Sequence, residues 1–189
     1  MSAPRPTKIL DEEIKLEPNT YIMSKTDKRG FITYANDYFI EISKYSKEEL
    51  LGTNHNIVRH PDMPKIIFKL LWERILNGKN IYALVKNLAK DGRYYWVVTD
   101  FDIERNKQGE IIGFYAFRKA PPKKAVEEII PLYKKLVELE KEGGMKKSGE
   151  YLENFLKSKN LTYDEYIDYI LGNSSVFKIW FKAMKKFFK

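Results

Sequence analysis

The residues best equipped for chemistry crowd into one short stretch. His55, Arg59, His60 and Asp62 lie together beside Pro61 and Pro64, and the chain has no histidines besides these two. Two imidazoles and a carboxylate form a possible metal set. They lack the helical His-x-x-x-His spacing and any cysteine, so that signal is thin. A guanidinium such as Arg59 matches phosphate oxygens bidentately, or forms a plain salt bridge. Asp62 could accept backbone N–H bonds and pin the loop. Elsewhere the chain shows no phosphate-cradling Gly-x-x-x-x-Gly-Lys-Ser/Thr loop, no nucleophile elbow and no dinucleotide fingerprint. With no cysteine there is no thiol nucleophile, thiolate metal site or disulfide. Catalysis is therefore not expected, and the reading is of a binding protein. Asn36 and Asn87 offer amides that donate and accept together. Asn36 also suits a helix cap, whereas Asn87 stands in a β-like run, where asparagine is disfavoured. Phe68 and Trp72 lie on an apolar helical stripe and serve a core or a planar ligand.

The elements that must position these residues follow from turn chemistry and periodicity. Tyr21–Ser24, a turn at Asp27–Gly30 and Phe31–Tyr34 predict a hairpin. Asn36-Asp37 caps a short helix, Ser46–Glu49 opens another in capping-box form, and Gly52 ends it. Pro64 starts a third, with Ile67, Phe68, Leu70, Leu71, Trp72 and Ile75 as its apolar stripe. Three β-like runs follow, Ile81–Asn87, Tyr94–Ile103 and Ile111–Phe117, joined by Asp91-Gly92 and Asn106–Gly109 turns. The order β-β-α-α-α-β-β-β predicts an α+β fold: one antiparallel sheet with helices over one face, where a flat ligand can be housed.

Composition agrees with a soluble binding domain. The 189 residues are 43% hydrophobic and 32% charged, and no apolar run is long enough to span a membrane. No secretory signal is read at the N-terminus, so the expected location is cytoplasmic, with peripheral attachment to the inner membrane as a variant. Net charge is +8, but Lys178, Lys182, Lys185, Lys186 and Lys189 supply five of it, leaving about +3 for the rest. A nearly balanced body argues against a nucleic-acid partner.

At the crossover the sequence becomes dense in signal. Tyr34–Asp37, Ser46–Leu50 and the run His55-Asn56-Ile57-Val58-Arg59-His60-Pro61-Asp62-Met63-Pro64 resemble the PAS domain of the aerotaxis receptor family. The likeness continues through Phe68, Trp72, Val85–Asn87, Lys90–Gly92, Tyr95–Val97 and Gly113-Phe114, and extends to Pro131–Lys134. It covers roughly residues 18–136. The resemblance implies a PAS fold holding non-covalent FAD, whose redox state sets chemotactic signalling (energy taxis). Carried over position by position, it points to Asn36, Arg59, His60, Asp62, Phe68 and Asn87 as FAD-linked, with Trp72 packing against the ring system. The chain departs from the family's Gly-x-x-Trp-x-Gly run, which here reads Gly78-Lys79-Asn80-Ile81-Tyr82-Ala83. That removes one stacking surface, so FMN, haem ligated by His55 or His60, and an empty pocket stand as alternatives to FAD. Without a cysteine, adduct-forming blue-light chemistry is excluded.

This reading divides the chain into an N-terminal cap over 1–17, a sensor domain over 18–120 and a helical region over 121–189. In the last, Gly143-Gly144 breaks one helix and Thr162–Glu165 caps another. The tail 176–189 sets aromatic and aliphatic residues against an all-lysine arc. It fits closure of the protein's own core, a membrane surface or a docking partner. No long signalling coiled coil follows, so output is expected to pass to a separate chemotaxis receptor or transducer. The other partner readings are a homodimer, in which a cofactor-free PAS module acts by interaction, and a membrane-surface adaptor.

Overall fold

The computed structural model describes residues 5–172 and 174–187, with no side-chain description at 173–175. Five strands form an antiparallel sheet: β1 (Ile22–Asp27), β2 (Ile32–Ala35), β3 (Ala83–Leu88), β4 (Tyr94–Arg105) and β5 (Ile111–Lys119). Their spatial order is β2-β1-β5-β4-β3. The hairpin β1–β2 therefore joins the meander β3–β4–β5 through the β1–β5 pair, where Ser24 faces Ala116 and Asp27 faces Gly113. Between the two halves run α1 (Asp37–Ser43), α2 (Lys47–Leu50), a 3-10 turn at His55–Val58 and α3 (Lys65–Leu76). Element types and order match the expected α+β arrangement.

The caps behave as their residue types require. The Asn36 side chain accepts from the Phe39 amide, and Ser46 with Glu49 closes a reciprocal capping box. Gly30 turns the first hairpin at φ +85°, a region closed to most side chains. A Cβ there would also press on the Trp72 indole at 3.0 Å.

The helical region does not stand apart. It comprises α4 (Lys123–Ser158), α5 (Tyr163–Leu171) and α6 (Ser174–Phe187), with α4 broken at Gly143 and Gly144. The first arm of α4 lies against the sheet face opposite the crossover helices. Tyr133 stacks on Trp96 and donates to the Leu84 carbonyl at 2.8 Å. Near the break the chain meets α3: the Glu140 carboxylate accepts from the Lys65 and Ile66 amides, both at 2.8 Å. That carboxylate fills the N-terminal end of α3, where unpaired amides favour an anion. Arg74 of α3 pairs with Asp164 of α5 at 2.5 Å.

The tail helix α6 returns to the same outer sheet face. Phe181 is fully buried against Tyr82, Phe177 and Trp180, and Lys185 pairs with the buried Asp100 of β4 at 2.7 Å. Of the readings open for the tail, closure of the protein's own core describes this face. Phe188 and Lys189 lie outside the described residues, as do residues 1–4 of the N-terminal cap. The rest of the cap runs beside the β3–β4 turn, where Leu10 donates to Gly92 and Ile14 to Tyr94. A single buried apolar cluster extends from Ile22 to Phe181.

Candidate functional site

A cavity of about 500 Å³ opens between the sheet and the crossover helices, within the usual range for small-molecule sites. β-alternation decides its floor. Val85 and Asn87 of β3, Thr99 and Phe101 of β4, and Phe114, Ala116 and Arg118 of β5 project into it. The α3 stripe divides by face. Ile67 is buried in the core, whereas Lys65, Phe68, Lys69 and Trp72 line the cavity. Trp72 meets Phe114 edge-on at 5.8 Å between centroids. The 3-10 segment supplies Asn54, His55, Asn56 and Arg59, and Met145 reaches in from beyond the break in α4.

Four of the seven residues expected at the site are brought together here: Arg59, Phe68, Trp72 and Asn87. Arg59 lies over the Phe68 ring at 4.5 Å and donates to the Met63 carbonyl at 3.0 Å. Its backbone forms a β-bridge with Asn87, tying the cavity wall to edge strand β3. Asn87 is buried at the next-to-last position of β3, where its side chain lines the cavity.

The other three are set elsewhere. The Asn36 carbonyl oxygen accepts from Met23 and Phe39, and its amide donates to Tyr21, so it fastens α1 to β1. His60 is buried behind the loop, its Nδ1 accepting from the Asp62 amide at 3.1 Å. Asp62 pairs with Lys86 at 2.7 Å. Burial, with Lys86 nearby, pulls His60 down to about 4, so it is neutral at physiological pH. These contacts hold the loop that carries Arg59. Among the described residues no group of three or more His, Cys, Asp or Glu is placed to hold a metal ion.

Sequence reasoning passed over the inner end of the cavity. Arg118 is almost wholly buried, and donates to Ser24 Oγ at 2.9 Å and to His55 Nε2 at 3.0 Å. Ser24 Oγ also lies 3.1 Å from His55 Nε2. The imidazole stacks on Phe39 at 5.5 Å. Burial, reinforced by the guanidinium, holds His55 down to about 3, a neutral ring that accepts from Arg118. Thr99 faces Arg118 across the β4–β5 ladder, and its buried hydroxyl has no hydrogen-bond partner within the protein. The discoverable signal was alternation: Arg118 shares a face with Phe114 and Ala116, and a charge on an apolar inner face is out of place.

The lining carries five cations, Arg29, Arg59, Lys65, Lys69 and Arg118, and no carboxylate. Arg29 is partly offset by Asp27 at 3.6 Å, Lys69 by Glu73 at 3.7 Å and Arg59 by the nearby Glu140. A cavity of that polarity, with aromatic walls and an orphaned hydroxyl on its floor, suits a planar ligand bearing negative charge.

This strand order, with a ligand-sized cavity under the crossover helices, defines a PAS-type sensor domain. Residues 32–118 match the family described as the PAS fold. The chain is similar to the aerotaxis receptor of Escherichia coli (strain K12), 37% identical over 128 residues, or 68% of this chain and 25% of the receptor. It is also similar to the nitrogen fixation regulatory protein of Klebsiella pneumoniae, 31% identical over 104 residues, or 55% of this chain and 21% of that protein. The chain thus spans a quarter or less of these relatives. Among solved structures, the dark state of the Aureochrome1 LOV photoreceptor superposes with TM-score 0.53 at 18% identity, covering 58% of this chain and 82% of that one. These likenesses establish the PAS fold of the domain.

Proposed function

We propose that this chain is a flavin-binding PAS redox sensor, with FAD as its cofactor, that relays its state to a separate chemotaxis transducer. The observation that carries the reading is the cavity itself: aromatic walls, buried polar groups on its floor, five cations and no carboxylate. The residues fit the group. Phe68, Trp72 and Phe114 offer ring surfaces; Asn87 and Thr99 offer hydrogen bonds to a polar edge. Arg59, Lys65 and Lys69 are the cations that would neutralise a pyrophosphate. When bound, a flavin supplies reversible electron uptake. The similarity to an aerotaxis receptor supports a role in energy taxis. His60 and Asp62 act through the loop they brace, and Asn36 through the α1–β1 junction.

A route outward exists in the packing. α3 lines the cavity, and its two ends are tied to the helical region through Glu140 and the Arg74–Asp164 pair. Displacement of α3 is therefore felt by α4 and α5.

The test is direct. Purified protein should show flavin absorbance that bleaches on reduction, and chromatography of the released cofactor separates FAD from FMN. Arg59→Ala and Asn87→Ala should lose occupancy with circular dichroism unchanged; full retention in both argues against the assignment. A haem spectrum, or a colourless preparation that takes up no added flavin, would replace the reading by a haem sensor or a cofactor-free dimerisation module.

A second role rests on α6. Beyond its buried face, Val176, Ile179 and Phe187 are 59%, 70% and 81% exposed, beside Lys178, Lys182 and Lys186. That surface suits peripheral contact with an anionic membrane. Co-sedimentation with anionic liposomes, lost on deletion of residues 176–189, tests it. Among the described residues no helix is long and apolar enough to cross a membrane.

A further inference from the structure

Arg118 poses an energetic problem that the protein alone does not solve. Its side chain is 5% exposed, and the partners its guanidinium contacts are all neutral: Ser24 Oγ, the Ala116 carbonyl and His55 Nε2. Among the described residues no carboxylate stands within ion-pair distance of it. Burial pulls its pKa down to about 10, so it keeps its charge at physiological pH. The Phe39 ring at 5.9 Å offsets little of that charge. A buried cation without a counter-ion is costly, and this one is held in place by groups that cannot neutralise it. His55 could have formed a repelling second cation, but its burial beside the guanidinium keeps the ring neutral and an acceptor. The charge is thus aimed at the cavity, on the floor beside the orphaned Thr99 hydroxyl. It stands on the sheet floor of β5, whereas the other lining cations come from the first hairpin turn, the end of the 3-10 segment and α3.

We propose that Arg118 is the charge-selecting residue of the cavity, positioned by His55 and Ser24 to favour the negatively charged, reduced state of the bound ring. The proposal rests on the flavin reading and divides the cations by task. Arg59, Lys65 and Lys69 serve the phosphates that a ligand always carries. Arg118 serves negative charge that arrives only on reduction. Two electrons from an external donor and one proton from solvent leave the ring with one net negative charge. A fixed neighbouring cation stabilises that form over the neutral oxidised one.

The experiment compares the native chain with Arg118→Gln and Arg118→Lys, each stripped of cofactor and reloaded with FAD or with riboflavin, which lacks phosphates. Affinities come from fluorescence quenching, and midpoint potentials from an electrode titration with soluble mediators supplying the electrons. Arg118→Gln should cut the preference for reduced over oxidised ring at least tenfold, a potential about 30 mV lower for a two-electron couple. Its preference for FAD over riboflavin should not change. Arg118→Lys keeps the charge and should hold the potential within threefold of native in the same ratio; a tenfold shift there overturns the proposal even if Arg118→Gln fails to fold. A native-like potential in Arg118→Gln, or loss of the FAD-over-riboflavin preference instead, also overturns it while leaving the flavin reading standing. Failure of the native chain to bind either flavin sinks both.

Discussion

The contact between α6 and the sheet predicts an asymmetry between the two members of one ion pair. Asp100 is wholly buried, whereas the Lys185 side chain keeps 20% of its exposure. The Asp100 pKa is raised, because burial outweighs the help of Lys185 and Asn80. Lys185→Met removes the neutralising charge and strands a buried carboxylate, a loss of about 3 kcal/mol at about pH 8 by analogy with broken buried pairs. Asp100→Asn leaves no buried charge: Lys185 has a path to water and the amide oxygen can still accept from Asn80, but the buried amide N–H group then faces the Lys185 ammonium without an acceptor. It should cost about 1–2 kcal/mol, less than a stranded buried charge. The two variants also part in their pH dependence. Without Lys185, the folded-state pKa of Asp100 climbs further above its unfolded value, so the folded protein holds a proton that the unfolded chain releases. Stability then falls as pH rises through that window, by at most about 1.4 kcal/mol per pH unit, and recovers on acidification. Urea unfolding of each variant against native at about pH 5 and about pH 8 measures both effects. Equal costs for the two substitutions, or a Lys185→Met deficit that does not shrink in acid, would refute the reasoning.

Three further outcomes follow from other contacts. Gly113→Ala should destabilise by about 2 kcal/mol or more, since a Cβ would stand 2.4 Å from the Thr26 carbonyl oxygen across the β1–β5 pair; thermal melts check it. Tyr133→Phe should cost about 1 kcal/mol, because the Leu84 carbonyl loses its hydroxyl donor, and chemical denaturation reads it. His55 and His60 are held down to about 3 and about 4. The folded state therefore refuses protons that the unfolded chain accepts below roughly pH 6.5. Stability should decline from there toward pH 4, and His55→Gln should remove part of that slope in acid titrations followed by tryptophan fluorescence.

Local chemistry made most of the fold legible. The Asn36, Ser46 and Thr162 caps bind the amides their spacing implies, with Glu49 and Glu165 closing capping boxes. The glycine turns fall where the hairpins bend, and the Gly143-Gly144 break is present. Pro64 differs slightly, sitting at the N-cap of α3 just before its first turn. The site was legible in part. Arg59, Phe68, Trp72 and Asn87 line the cavity, while Asn36, His60 and Asp62 brace its surroundings. What no local pattern carried was pairing across the chain. Arg118 meets Ser24 94 residues away, and Glu140 meets Lys65 75 residues away. The lysines of the tail read as one solvated arc, yet Lys185 turns inward because a buried carboxylate waits on β4.

The Glu140 carboxylate has one more consequence. The berth it occupies, the leading end of a helix beside a cationic mouth, is where a phosphate would ordinarily settle. An arriving anion must therefore make do with side chains or evict the chain's own stopper. Eviction would unfasten α4 beside the glycine joint, so the mouth of the cavity and the helices outside it share a single catch.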